Sequence, residues 1–289
     1  MNVSTTQNVT IPSGPAALAG TLFVSGEKPK AAVVLHAATG VPARFYAAFA
    51  TWLSRDRGIA CLTYDYRDFG ASGSAQGSAA TMTDWGVHDQ QAARDWLRAR
   101  LPEAPLWVIG HSLGGMMLPY QTGLASIARV VTVASGAVNV RDHPWPYQAF
   151  ARAFWAPGLG ALSRRIGRFP TRALRIGHDL PAGVYAQWRQ WCTSPAFQRD
   201  DADLPVADAT ALTCPMRVVA VSDDALCPPA AVWRLMTAYP GAMKRQVVLD
   251  PRTFGMARIG HLDPLGERGR PLWPTLIAQD LPSRSNVLI

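Results

Sequence analysis

Leu106-Trp107-Val108-Ile109-Gly110-His111-Ser112-Leu113-Gly114-Gly115 is the stretch from which the rest of the chain can be read. A short apolar run of strand length enters a glycine, a serine and two more glycines, and a helix-compatible run, Leu113 to Ala125, follows. A strand turning sharply into a helix lifts the Ser112 side chain above a sheet, while Gly110 and Gly114 lack the side-chain bulk that would hold the backbones apart. Gly-x-Ser-x-Gly alone is a weak signal. Its place between a strand and a helix gives it weight.

Outward from that turn, short apolar runs alternate with longer amphipathic ones, the pattern of an α/β protein whose mostly parallel central sheet is flanked by helices. The runs predict strands over Gly20 to Ser25, Ala31 to His36, Ile59 to Tyr64, Leu106 to Ile109, Arg129 to Ala134, Arg217 to Ser222 and Arg245 to Leu249. The more polar Gln7 to Ile11 suits an edge hairpin with Gly20 to Ser25. Helices are predicted over Ala43 to Asp56, Asp84 to Arg100, Leu113 to Ala125, Ala230 to Tyr239 and Leu272 to Gln279. In the second, Asp84 is expected as N-cap, and Trp85, His88, Ala92, Trp96 and Ala99 as the face against the sheet, with His88 structural.

The alternation breaks over residues 137–208, which lack a Val/Ile strand. Residues 141 to 200 hold 10 of the 26 aromatics of the chain, enough apolar material for a layer of their own. We expect a helical cap insertion over the carboxyl edge of the sheet, with residues 1–136 and 209–289 as the core.

At 289 residues, 48% apolar and 17% charged, the chain is long enough to bury a substantial core without staples, and disordered or disulfide-scaffold classes are excluded. No apolar stretch approaches the roughly 18 residues of a membrane span. Residues 1 to 15 lack a secretory pattern, and Cys61, Cys192, Cys214 and Cys227 form no Cys-x-x-Cys pair, so reduced thiols, a cytoplasmic location and no metal site are expected. The net charge is +8, and 25 of the 28 basic residues are arginine. Between Arg141 and Arg175 seven arginines face one acid, Asp142, without a nucleic-acid motif. A solvated basic face explains this most simply, and attraction of an anionic partner is the alternative.

Serine at a sharp turn is a weak nucleophile without a base. In the order Ser, Asp/Glu, His, the base falls on His261 of Gly260-His261-Leu262, which follows the last strand. His143 and His178 lie in the insertion, and His36 and His111 are tied to strand and turn. The acid comes from Asp223-Asp224 after Arg217 to Ser222. Asp224 is preferred because Asp-x-x-x-Pro to Pro228 suits a loop returning into a helix, with Asp223 and Asp250 as alternatives. Cys227 reads as packing. Two amides must face a developing oxyanion: Leu113 by position, and Ala38, within one residue either way, in His36-Ala37-Ala38-Thr39-Gly40.

Through Gly110-His111-Ser112-Leu113-Gly114-Gly115, Asp65-Tyr66-Arg67-Asp68-Phe69-Gly70-Ala71-Ser72, Asp224 and His261, the chain resembles the alpha/beta-hydrolase superfamily over nearly its whole length. Ala38 to Pro42, Thr63 to Arg67, Asp84-Trp85-Gly86, Trp188 to Cys192 and Ile259 to His261 look like a branch of serine hydrolases without a settled substrate. The resemblance implies Ser112, Asp224 and His261 as a triad, with Asp65 and Arg67 bracing a loop. Asp68 stands where many relatives carry glycine, and Ala37 where histidine-glycine is commoner. Serine in place of aspartate at the nucleophile argues against the dehalogenase and epoxide-hydrolase branches.

The expected activity is therefore cleavage of a small-molecule carboxylic ester or thioester through an acyl-enzyme on Ser112. No cofactor, metal, nucleic acid or membrane span is called for, and the oligomeric state is open. Acyl transfer by the same residues and a hydrolase-fold binding protein without turnover are the alternatives.

Overall fold

The computed structural model describes residues 4–173 and 177–278. Eight strands form one sheet: β1 Ser4–Ser13, β2 Ala16–Ser25, β3 Ala32–His36, β4 Ala60–Tyr64, β5 Leu106–His111, β6 Ile127–Val133, β7 Pro215–Val221 and β8 Met243–Leu249, in the spatial order β1-β2-β4-β3-β5-β6-β7-β8. β1 and β2 make an antiparallel hairpin, β2 runs antiparallel to β4, and every later pairing is parallel. All eight expected strands exist within a few residues of their expected bounds. β3 and β4 are buried at every position, as continuous apolar runs between two layers must be, whereas β8, at the far edge, exposes Met243, Arg245, Gln246 and Val248.

The helices are α1 Ala47–Arg57, α2 Gln90–Arg100, α3 Tyr147–Phe154, α4 Pro157–Ile166, α5 Ala182–Thr193, α6 Pro229–Leu235 and α7 Trp273–Ile277. The last lies within the helix expected over Leu272 to Gln279, of which Gln279 falls outside the described residues. No helix among the described residues is long and apolar enough to cross a membrane.

The expectations for two of the helices need correction. A π-turn over Asp84–Asp89 precedes α2 and inserts an extra residue, rotating the buried face onto Trp85, Asp89, Gln90, Ala93, Arg94 and Leu97. His88 is consequently exposed, not packed on the sheet. Asp84 is not the N-cap either. Its carboxylate accepts from the Thr81 amide (2.9 Å) while its own amide donates to Thr81 Oγ1 (3.2 Å), a capping box with Thr81 as the cap.

The other is the helix expected over Leu113 to Ala125. Three separate 3₁₀ turns take its place, Ser112–Gly115, Leu118–Tyr120 and Leu124–Ser126. Pro119 lacks the amide an α-helix needs and clashes with the carbonyl four residues back, and Gly123 takes a φ of 69°. The turn at Ser112 thus stands without a long helix behind it.

Between β6 and β7 lie α3, α4 and α5. The side chain of Gln187 on α5 fastens this region to the turn before α2, accepting from the Thr83 amide (2.9 Å) and donating to Thr83 Oγ1 (2.8 Å) and Asp201 Oδ2 (2.8 Å). All these polar atoms are buried, so each bond removes a desolvation cost of roughly 1–3 kcal/mol.

Candidate active site

Parallel strands send their carboxyl ends to one edge, so the loops after β3, β5, β6, β7 and β8 meet there. They line, together with α3 and α5, a cavity of about 520 Å³ whose walls include Ala38, Ser112, Gly136, Cys227 and His261.

Ser112 opens the turn after β5 with a φ of 52°, left-handed backbone that non-glycine residues rarely adopt. The turn is tight because three backbones close on it. A Cβ on Gly110 would lie 2.3 Å from the Gly114 carbonyl oxygen, and one on Gly114 only 2.1 Å from that of His36. Neither position admits a side chain.

His261 follows Gly260, whose φ is 63°. Its Nδ1 lies 2.7 Å from Asp224 Oδ2, and Asp224 Oδ1 accepts from the amides of Leu226 (2.8 Å) and Cys227 (2.9 Å). Asp224 is buried, and these donors fix the carboxylate that holds the imidazole. With Nδ1 committed, Nε2 is the nitrogen left for the cavity. His261 makes no hydrogen bond to Ser112, although both side chains line the same space. Catalytic contacts of this kind often tighten only with substrate in place.

The alternatives to Asp224 have other tasks. Asp223 accepts from the amides of Ile259 (3.0 Å) and Gly260 (2.8 Å), fixing the loop that carries His261. Asp250 caps its own turn through the Arg252 amide (2.9 Å). Adjacent aspartates on one loop thus hold the side chain of His261 and the backbone before it.

The expectation for Ala38 meets an obstacle. Its amide already donates to the Tyr46 hydroxyl at 2.9 Å. That hydroxyl also meets His111 Nδ1 (2.9 Å), while His111 Nε2 lies 2.9 Å from the His261 carbonyl oxygen. A carbonyl only accepts, so Nε2 carries the proton of His111, and Nδ1 receives the proton of Tyr46. Burial, helped by the neighbouring His261, lowers the His111 pKa to about 3 and keeps the ring neutral, while burial raises that of Tyr46. Nothing in the sequence distinguishes Tyr46 as the residue that joins these loops.

Asp65 and Arg67 brace as expected. The Asp65 carboxylate takes the amides of Ala43 (2.7 Å) and Ala71 (2.8 Å), and Arg67 bonds Asp84, Asp89 and Ser13. Asp68 has a φ of 57°, which explains why glycine suits this position and why aspartate, tolerant of that region, replaces it.

Phe154, Trp155 and Trp188 from the segment between β6 and β7 line the cavity, whereas Trp191 is fully buried and Trp145 is exposed. His143 lines it too, its Nδ1 3.0 Å from the Ala225 carbonyl oxygen and its pKa lowered by burial. Cys227 is buried and desolvation pushes its thiol pKa up, in keeping with a packing role. No three His, Cys, Asp or Glu side chains converge as metal ligands among the described residues.

Residues 27–167 match a family model described as serine aminopeptidase, S33. Solved structures match nearly the whole chain. The enol-lactonase from Burkholderia xenovorans LB400 is 20% identical with a TM-score of 0.58, covering 93% of this chain and 98% of that one. The alpha/beta hydrolase GrgF from Penicillium sp. sh18 is 18% identical with a TM-score of 0.58, covering 95% and 100%. The chain has the alpha/beta-hydrolase fold. A thermostable carboxyl esterase from Bacillus coagulans has the same fold at 11% identity and a TM-score of 0.57, covering 86% of this hydrolase-fold chain and 91% of the esterase. No curated protein sequence matches the chain. At these identities the likeness to solved structures speaks for the fold, and the chemistry rests on the side chains.

Proposed function

We propose that this chain is a serine hydrolase that cleaves a small-molecule carboxylic ester or thioester through an acyl-enzyme on Ser112. The observation that carries the reading is the 2.7 Å pairing of His261 with buried Asp224 at the wall of a cavity that Ser112 also lines. In this reading Ser112 Oγ attacks the acyl carbon and His261 Nε2 takes its proton. Asp224 steadies the imidazolium, and the proton then passes to the leaving group. Water, activated by the same ring, releases the acid.

The Leu113 amide is assigned as one oxyanion donor. Because the Ala38 amide is spent on Tyr46, we assign the second to Thr39, one residue along and also at the cavity wall. We further propose that residues 137–208 act as a cap whose aromatic side chains receive an apolar part of the substrate. The esterase and lactonase among the similar structures are in keeping with this class of reaction.

Hydrolysis of p-nitrophenyl esters of increasing acyl length by wild type and Ser112→Ala tests the reading. Loss of nearly all turnover in the variant is expected, and wild-type rates in the variant would remove Ser112 from the chemistry.

A further inference from the structure

Beside the apolar cavity lies a second groove of about 410 Å³, and His178 belongs to the walls of both. The groove is rich in guanidinium groups: Arg44 from the turn before α1, and Arg168 and Arg172 from the segment after α4. It sets three guanidiniums against two carboxylates. Asp179 takes Arg168 Nε and the Arg172 amide, each at 2.9 Å, and Asp68 takes the Ser78 hydroxyl at 2.6 Å.

The side chains of Arg44 and Arg172 are not so served. Among the described residues neither pairs with a carboxylate, and both turn on the same imidazole. Arg44 Nη2 lies 2.7 Å from His178 Nε2, and Arg172 Nη2 lies 3.1 Å from His178 Nδ1. A neutral imidazole has one accepting nitrogen and one N–H, and a guanidinium only donates. One of the two contacts therefore sets donor against donor. The cluster lacks an acceptor, and burial together with both arginines lowers the His178 pKa.

We propose that this groove binds a terminal oxyanion, carboxylate or phosphate, carried by the substrate whose scissile acyl group reaches Ser112 through the neighbouring cavity. An oxyanion between the guanidiniums supplies the missing acceptor, and the two spaces adjoin at His178, which is where a single molecule would pass from one to the other. This deepens the hydrolase reading and rests on it for the identity of the scissile bond. The substrate class is an apolar ester or thioester with an anionic end.

Two matched pairs locate the anion. The first compares thioesters of one fatty acid with phosphorylated and unphosphorylated pantetheine. The second compares aryl esters whose acyl chain ends in a carboxylate or in its methyl ester. For wild type, the anionic member of one pair has a KM lower by about 10-fold or more, as expected for charge-assisted bonds, and the pair concerned reveals which oxyanion is read. In the double variant Arg44→Gln/Arg172→Gln the ratio of the two KM values falls towards one. In Arg98→Gln, an exposed charge on α2, it does not.

Equal KM values within both pairs for wild type, or a preference that survives the double variant, would overturn the proposal. Should nothing be turned over, that failure belongs to the hydrolase reading, and the groove is judged by isothermal titration with inorganic diphosphate. Binding at least about 10-fold tighter to wild type than to the double variant supports it, and equal or absent binding refutes it.

Discussion

His111 holds the backbone of His261: its protonated Nε2 meets the His261 carbonyl oxygen at 2.9 Å, and the two rings lie 5.2 Å apart. Because His111 immediately precedes Ser112, this bond links the turn of the proposed nucleophile to the loop of the proposed base. Replacing His111 by leucine removes the link at similar volume. We expect kcat to fall by about 10- to 100-fold, the scale of a small misplacement of reacting groups, with KM within about 2-fold. Steady-state kinetics on one aryl ester checks this, and a change confined to KM contradicts the positioning role.

The two neighbouring aspartates separate by assay. Asp224→Asn leaves the imidazole without its anionic partner, and kcat should drop about 10³- to 10⁴-fold with little change in folding. Asp223→Asn weakens two bonds to the loop backbone, destabilises the protein by roughly 1–3 kcal/mol and costs far less activity. Kinetics beside thermal unfolding distinguishes the two, and the reverse ordering would exchange their roles.

Acid should destabilise the fold through two buried rings. Burial lowers the pKa of His36 and of His111 to about 3, with Arg94 contributing at His36 and His261 at His111. An unfolded imidazole titrates near 6.5. Between these values the unfolded chain binds more protons than the folded one, so stability is full above about pH 6.5 and declines as pH falls towards 3. Each ring contributes a loss of about 2 kcal/mol at pH 5. Urea midpoints at pH 7 and pH 5 measure the sum, and His36→Gln should narrow the gap between them. An unchanged gap would mean that His36 titrates normally.

The cavity wall predicts a shift in acyl preference. Trp188 stacks edge-on to Trp155 and lines the cavity. Trp188→Ala opens space there, so kcat/KM should rise for longer acyl chains relative to short ones. Parallel chain-length profiles for variant and wild type would place Trp188 outside the substrate's reach.

What the sequence could and could not reveal follows from the range of the forces involved. Strands such as Ala32–His36 and Ala60–Tyr64 are legible because burial on both faces demands an unbroken apolar run. The meeting of Ser112, His261 and Asp224 at one edge is legible because parallel strands bring their ends together there. The helix expected after Ser112 does not form because Pro119 interrupts a run that otherwise suits one, and the buried face of α2 is displaced because a π-turn leaves no compositional mark. The commitment of the Ala38 amide to Tyr46, and the meeting of Arg44 with His178, each depend on segments brought together only by the tertiary fold.

Covalent trapping tests the central claim most directly. Wild-type protein treated with a fluorophosphonate should gain one adduct by intact mass, mapping by peptide sequencing to Ser112, and Ser112→Ala should gain none. Wild type that stays unlabelled, or a variant that is still labelled, would contradict the assignment of Ser112 as the attacking group.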